Sequence, residues 1–299
     1  MALEVLVLRG LGLGDLLTAV PALRALRRAF PGGRITLAAP AVYRELMART
    51  GAVDDLVDVS GPGPVPYDGP DVAVNLHGRG PRSVGALRRT RPGRLLSHEV
   101  DGGPPWREAV HEVRRWCDLL EWYGLPADPG DLSLGTSDLR GPVVVHPGAA
   151  SPARRWPSGR FALVAAALRR TGADVVVTGG PAETALAREV AGLAGLPAAS
   201  VLAGRTGPAG LADLVGGARL VVCGDTGVAH LAAAYRTPSV VLFGPTSPAL
   251  WGPPVGGPHV TLWAGRTGDP HAAAPDPGLL EIETPEVVDA ALELLKVRA

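Results

Sequence analysis

The sequence predicts an α/β protein made of two Rossmann-like domains, each with a parallel sheet. Three observations predict it. Short apolar runs alternate with amphipathic segments along the chain, the order in which a strand is followed by a crossover helix. Most runs end in a Gly-, Pro- or Asp-bearing turn before the next segment starts. The series then restarts after a Pro/Asp/Gly stretch at 126–140. A chain of 299 residues is long enough for two ordinary cores, and the restart divides it into 1–139 and 140–299. In such folds ligands sit beyond the carboxyl ends of strands. The polar loops singled out below all follow strands, which points them at one cleft.

The first half opens with an apolar strand, Leu3–Leu8, then Arg9 and a Gly-rich turn, Gly10 to Gly14. Asp15 starts a helix whose apolar face is Leu16, Val20, Leu23, Leu26 and Phe30, with Arg24, Arg27 and Arg28 opposite. Pro31-Gly-Gly33 stops it. Ile35–Ala39 reads as a strand, Val42–Ala48 as a helix and Leu56–Val59 as a short strand. A Pro/Gly loop at 61–70 leads into the strand Val72–Leu76, whose end carries Asn75, His77 and Arg79. Residues 82–94 then hold five arginines. Trp106–Tyr123 is predicted as a helix.

The second half repeats the scheme. Pro142–Val145 is a strand, followed by His146-Pro-Gly-Ala-Ala-Ser-Pro, then Arg154-Arg-Trp-Pro157 and a helix near 158–170. Asp174–Thr178 is a strand turning through Gly179-Gly-Pro181 into a helix carrying Glu183. Leu211–Gly217 is helical. Leu220–Cys223 is a buried strand that turns at Gly224-Asp-Thr-Gly227 into a helix carrying His230 and ended by Pro238. Ser239–Phe243 is a strand, 244–258 a Pro/Gly loop, and Pro285–Arg298 a final helix.

Bulk composition narrows the function. The chain is 46% hydrophobic and 19% charged with formal net charge zero, a globular profile that gives nucleic acid no electrostatic footprint. All but one of the basic residues are arginine. Cys117 and Cys223 stand far apart in apolar surroundings, which reads as two core thiols in a reducing compartment rather than a disulfide. The first residues lack a basic segment ahead of an apolar one, and no run of 18 apolar residues occurs, so a cytoplasmic location is expected. No histidine pair has metal-ligand spacing, and neither cysteine has a zinc partner. Neither a G-x-S-x-G elbow nor a Walker sequence is present.

The chemistry-bearing stretches each carry a bland reading beside a functional one. Asp225, Thr226 and His230 cluster at one helix start, Thr226 and His230 being one turn apart. A helix cap explains them, and so does an anion site built from free N–H groups. Gly10-x-Gly12-x-Gly14 fails the dinucleotide pattern, because Asp15 takes the third glycine's place and would face a pyrophosphate; the second strand also ends without an acidic residue for a ribose. Asp15 is therefore either an N-cap or a carboxylate at a strand end, able to take a proton. Arg154 and Arg155 are a solvated pair or a cation beside a helix start, suited to a diphosphate. Glu183 complements a helix dipole or bonds ribose hydroxyls. The Arg79–Arg94 cluster is a solvated face, or a surface for an anionic acceptor or acidic lipid.

Several of these residues together resemble one family. Gly14-Asp15-Leu-Leu-Thr-Ala-Val-Pro21, His146-Pro-Gly with Arg154-Arg-Trp-Pro157, Thr178-Gly-Gly-Pro with Glu183, and Asp225-Thr-Gly-Val-Ala-His230-Leu with Thr237-Pro238 and Phe243-Gly-Pro-Thr246 occur in the order seen in glycosyltransferase family 9, the heptosyltransferases. The resemblance covers most of the chain. It implies a GT-B architecture, two Rossmann-like domains facing a cleft, and an inverting, metal-independent transfer of a sugar from a nucleotide diphosphate donor, ADP-heptose above all. The acceptor it implies is a glycolipid or polysaccharide, with peripheral contact at the inner face of the cell membrane and no nucleic acid partner. It makes Asp15 the base that deprotonates the acceptor hydroxyl. Arg154 stands where the family usually has lysine and would stabilise the departing diphosphate. Glu183 would hold the donor ribose and Thr206 would lie by the base through its backbone. Asp225, Thr226, Gly227 and His230 would bind donor sugar and phosphates, with Gly148, Ala149 and Ser151 supplying the phosphate loop. Arg9, His77 and Arg79 would contact the acceptor. Where some members carry loop hydroxyls, Gly148-Ala149-Ala150 offers backbone N–H groups and Ser151. That departure keeps a second reading open, a non-catalytic nucleotide-sugar binder or degenerate partner subunit.

Overall fold

The computed structural model describes residues 2–296, which divide into two compact units, one ending at Leu132 and the other starting at Ser133. The last residues of the final predicted helix lie outside the described residues. The division falls inside the 126–140 stretch. Asp131 accepts from Arg24 at 2.7 Å and Arg28 at 2.6 Å, which ties it to the first unit. Leu134 N–H donates to Ala234 O at 3.0 Å, which ties the chain to the second.

In the first unit the chain runs β1 (Glu4–Leu8), α1 (Leu13–Thr18), α2 (Val20–Ala29), β2 (Arg34–Ala39), α3 (Arg44–Ala48), β3 (Asp55–Asp58), β4 (Val72–Asn75), α4 (Arg82–Arg89), β5 (Arg94–Leu96) and α5 (Glu112–Trp122). The single helix expected from Asp15 onward is two segments. Pro21 has no N–H to give Leu17 O, and the chain tightens at Ala19, whose N–H reaches back to Leu16 O at 3.2 Å. The strands form one parallel sheet in the order β3-β2-β1-β4-β5. Val5 to Leu8 of β1 are fully buried at its centre, as a strand covered on both faces requires.

The helix predicted from Trp106 begins only at Glu112. The Trp106 N–H is taken by the Glu99 carboxylate at 2.7 Å. The carbonyls of Arg107, Glu108 and Val110 accept from the Arg115 guanidinium instead of from helical N–H groups. His111 then caps α5, its Nδ1 accepting from Val113 N–H at 3.3 Å.

The second unit runs β6 (Val143–His146), α6 (Ser158–Arg170), β7 (Val175–Val177), α7 (Thr184–Leu193), α8 (Pro208–Gly217), β8 (Leu220–Gly224), α9 (Gly227–Tyr235), β9 (Ser239–Phe243), α10 (Pro248–Trp251), β10 (His259–Trp263), α11 (Pro277–Glu281) and α12 (Thr284–Lys296). Its parallel sheet has the order β10-β9-β8-β6-β7. The core packs Val143, Val145, Val222 and Leu242 of the sheet against Phe161, Leu168, Val190 and Val287 of the helices. Trp156 is buried edge-on to Phe161 at 5.1 Å and donates its indole N–H to Ile282 O at 3.1 Å. That bond pins the start of α6 to the approach of α12.

Both sheets are doubly wound, and each has one switch point where the strand order reverses. In the first sheet it lies between β1 and β4, in the second between β6 and β8. The crevice outside such a point is where open α/β sheets bind ligands.

Candidate functional site

In the second unit the residues expected to bind a donor gather around the β6/β8 switch point. Gly224, the last residue of β8, carries the chain into Asp225-Thr226 and α9. A Cβ on Gly224 would lie 3.3 Å from Arg154 O, so the turn after β6 is packed directly over the end of β8. Arg154 thereby faces Asp225, Nη1 to Oδ2 at 3.4 Å, with Asp225 buried and Arg154 about one quarter exposed. Thr226 holds the N-cap position of α9 in extended conformation, but its side chain makes no capping bond. Its Oγ1 and the Arg154 Nε are enclosed without a hydrogen-bond partner. Thr226 therefore does not serve as a cap, and the start of α9 stands beside the Arg154 cation. His230, one turn into α9, packs edge-on to Trp251 at 6.0 Å. Trp251 belongs to α10, inside a stretch that the sequence presents as loop.

The loops after β6 and β7 join this cluster. Glu183 bonds Gly180 N–H through Oε2 at 2.7 Å, and its carboxylate lies where a Cβ on Gly148 would fall. Gly148 is thus the residue that lets Glu183 reach the loop after β6. Ala149 is buried and its carbonyl accepts from Arg155 Nε at 3.0 Å, so Arg155 braces the loop rather than pointing out of it. Ser151 is buried, and its Oγ accepts from Ala153 N–H at 3.3 Å, capping the short turn that carries Arg154. Gly204 N–H donates to Gly179 O at 2.9 Å, and this draws the half-buried Thr206 segment toward the end of β7. Beneath the loops, His146 is buried with Nδ1 3.0 Å from Thr178 Oγ1. Burial holds its pKa below the ordinary histidine value, the Glu183 charge acting in the opposite direction.

In the first unit Asp15 lies on α1 beside the β1/β4 switch point, with about one third of its side chain exposed. Arg9 does not take the acceptor-facing place expected of it. It is 1% exposed, and each guanidinium nitrogen is engaged: Nε with Asp15 O at 3.0 Å, Nη1 with Leu76 O, and Nη2 with Asp15 Oδ1 at 3.3 Å, Thr18 Oγ1 at 3.3 Å and Glu112 Oε1 at 2.8 Å. Its face lies 4.7 Å from the Trp116 ring centre. A buried arginine is stable only when paired in this way, so its place is beneath Asp15, holding it. His77 is half-buried at the end of β4. Burial, then the charges of Arg9 and Arg82, push its pKa down to about 4, leaving it neutral near pH 7. Arg79 is exposed and pairs with Glu108 at 3.2 Å. Among the described residues no three His, Cys, Asp or Glu side chains cluster as a metal site would require.

Two doubly wound units, each with polar residues at its switch point, make up a fold of the GT-B type. The sequence model of glycosyltransferase family 9 (heptosyltransferase) matches residues 85–275, and the chain belongs to that family. Lipopolysaccharide heptosyltransferase 3 of Escherichia coli is 35% identical over 125 residues, 41% of this chain and 36% of that protein, so the chain matches well under half of that relative. A second Escherichia coli lipopolysaccharide heptosyltransferase 3 is 25% identical over 299 residues, covering 85% of this chain and 86% of the relative. The Escherichia coli ADP-heptose lipopolysaccharide heptosyltransferase II structure superposes with a TM-score of 0.80 at 21% identity, over 99% of both chains. At that identity the likeness is one of fold.

Proposed function

We propose that this chain is an inverting, metal-independent glycosyltransferase that moves a heptose-like sugar from ADP-heptose to a glycolipid acceptor of the lipopolysaccharide type. The observation that carries the reading is the β6/β8 switch point, where Arg154, the Asp225 carboxylate and the start of α9, at which Thr226 makes no cap bond, share one loop cluster. When the bond from sugar to nucleoside diphosphate breaks, negative charge grows on the departing phosphate. A guanidinium and preorganised helix N–H groups offset that charge in place of a metal ion. Arginine serves here through its fork, gripping two phosphate oxygens where lysine would act as a point charge. Glu183 takes the ribose hydroxyls, and Asp225 and His230 take hydroxyls of the sugar. Asp15 accepts the proton of the acceptor hydroxyl as its oxygen attacks the anomeric carbon from the face opposite the leaving group, which inverts that centre. The relatives' names supply the choice of heptose, ADP and lipopolysaccharide.

No described helix is long and apolar enough to cross a membrane. The exposed arginines of α4 and its flanks (Arg79, Arg82, Arg88, Arg89, Arg91) give the first unit a basic surface, which we assign to anionic headgroups at the cytoplasmic face, where a glycolipid acceptor would present its sugars.

Transfer from ADP-heptose to a heptose-deficient lipopolysaccharide acceptor tests the reading. Asp15→Ala is expected to abolish turnover with ADP affinity unchanged, and Arg154→Ala to lower kcat on the order of a hundredfold or more. Full activity is expected in excess EDTA, with the product's anomeric configuration opposite to the donor's. Normal turnover by the Asp15 variant would remove the base. Loss of activity in EDTA, or retained configuration, would remove the mechanism. Nucleotide binding without transfer to any acceptor would return the chain to the non-catalytic reading.

A further inference from the structure

We propose that Glu112 is a positioning residue for Asp15: through Arg9 it fixes where the Asp15 carboxylate stands and how much of the Arg9 charge falls on it. The inference rests on the reading of Asp15 as the base. Arg9 is a single guanidinium shared by two carboxylates, Nη2 lying 2.8 Å from Glu112 Oε1 and 3.3 Å from Asp15 Oδ1. The shorter contact is to Glu112, on α5, 103 residues from Arg9 in sequence. Glu112 is itself held from three sides: by Arg9, by Trp116 Nε1 at 2.9 Å and by Arg115 Nε at 3.1 Å. Arg115 in turn bonds the carbonyls of Arg107, Glu108 and Val110 and stacks on Trp106 at 4.0 Å. A rigid buried chain therefore runs from the 106–111 segment to the candidate base.

Burial alone would raise the Glu112 pKa, but Arg9 and Arg115 outweigh it and keep the carboxyl below the ordinary value, so it is anionic near neutral pH. Charged and titratable groups reach the Asp15 region from several elements. Arg9 comes from the end of β1. Tyr43 comes from the turn before α3, and its phenol, pushed up by burial and by the Asp15 charge, stays neutral. His77, after β4, feels the Arg9 charge and is neutral near pH 7. Thr18 on α1 bonds Asp15 O at 2.8 Å. Arg9, Glu112 and Arg115 form a connected set of charges that reaches the carboxylate, and their balance acts on it.

Two substitutions push this balance in opposite directions. Glu112→Gln removes a negative charge, leaves Arg9 to Asp15, and should lower the Asp15 titration midpoint. Arg115→Gln removes a positive charge and should raise it. Each shift is expected to be about one pH unit, the order of a unit charge several ångströms away at the effective dielectric of a partly buried site. The measurement is a carboxyl-carbon NMR titration of Asp15 in the full chain, with circular dichroism confirming that each variant is folded. In the transfer assay the acid limb of the pH profile should move with the midpoint. For Glu112→Gln kcat should also fall, since a weaker base is left, while the KM for the nucleotide sugar stays unchanged. Should Glu112→Gln fail to fold, the opposite shift in Arg115→Gln still reads the coupling. An Asp15 midpoint that stays put in folded variants overturns the inference. Turnover by Asp15→Ala overturns the base assignment instead, and the two failures appear in different measurements.

Discussion

Gly148 is a residue whose whole contribution is the side chain it lacks. The Glu183 carboxylate occupies the space a methyl group would need, and that carboxylate is the flexible end of a side chain, which moves aside by loosening its bond to Gly180 N–H. Gly148→Ala is therefore expected to fold with a melting temperature close to the parent's, yet to raise the KM for the nucleotide sugar about tenfold, in keeping with one lost hydrogen bond to a charged group. A changed kcat with unchanged KM would disprove it. At this scale the sequence is readable wherever a residue's neighbours in the chain are also its neighbours in space. Asp15 in its Gly-rich turn and Asp225-Thr226 before α9 are such cases. Arg9 is not, because a cation at a strand end looks the same whether it faces a ligand or lies beneath one. Glu112 gives no signal at all, since its partner Arg9 is 103 residues distant and nothing in the sequence around it marks a buried carboxylate.

Among elements, α6 shows how the second unit is braced. Its start is held by Trp156, fully enclosed against Phe161 and bonded to Ile282 O, immediately after the turn carrying Arg154. Trp156→Ala should cost about 3–5 kcal/mol of stability, the usual range for emptying a large aromatic site, as read by urea unfolding. A cost under about 1 kcal/mol would mean that the site collapses around the cavity. The central strands and long helices of both units follow directly from apolar periodicity, whereas five elements escape it. α4 is hidden in an arginine-rich stretch, with Val84 and Leu87 as its larger buried residues. β5 is short, with only Leu96 buried. β10 is a half-exposed edge strand without clear alternation. α10 and α11 are single turns started by Ser247 and Asp276 caps within Pro/Gly-rich sequence. Their stability comes from tertiary neighbours, which a local pattern does not contain.

At the scale of the molecule, strand order is the property that periodicity leaves open. The two halves read alike in sequence, but the first winds as 3-2-1-4-5 and the second, counted from its own first strand, in the flavodoxin-like sense. A property of the whole chain follows from its buried histidines. His77 and His259 are held to about 4, in each case mainly by burial, and His98 and His146 are also lowered by burial. Between pH 6.5 and about 4 the unfolded chain binds protons that the folded chain refuses, so stability should fall as pH drops through that window. The urea midpoint is expected to decline from pH 7 to pH 5, and less steeply in a His77→Gln/His259→Gln variant. A flat midpoint over that range would contradict the burial of these rings.

The shared guanidinium of Arg9 also constrains how this sequence can diverge. A chain that lost Glu112 first would leave the buried Arg9 cation with the longer Asp15 contact as its remaining carboxylate partner, at a cost in stability. One that replaced Arg9 and Glu112 together by neutral residues of matching shape would escape it. The order of substitution, and not only the final pair, decides which descendants survive. Positions 9 and 112 are therefore expected to change as a couple, a signature of inheritance that belongs to neither site alone.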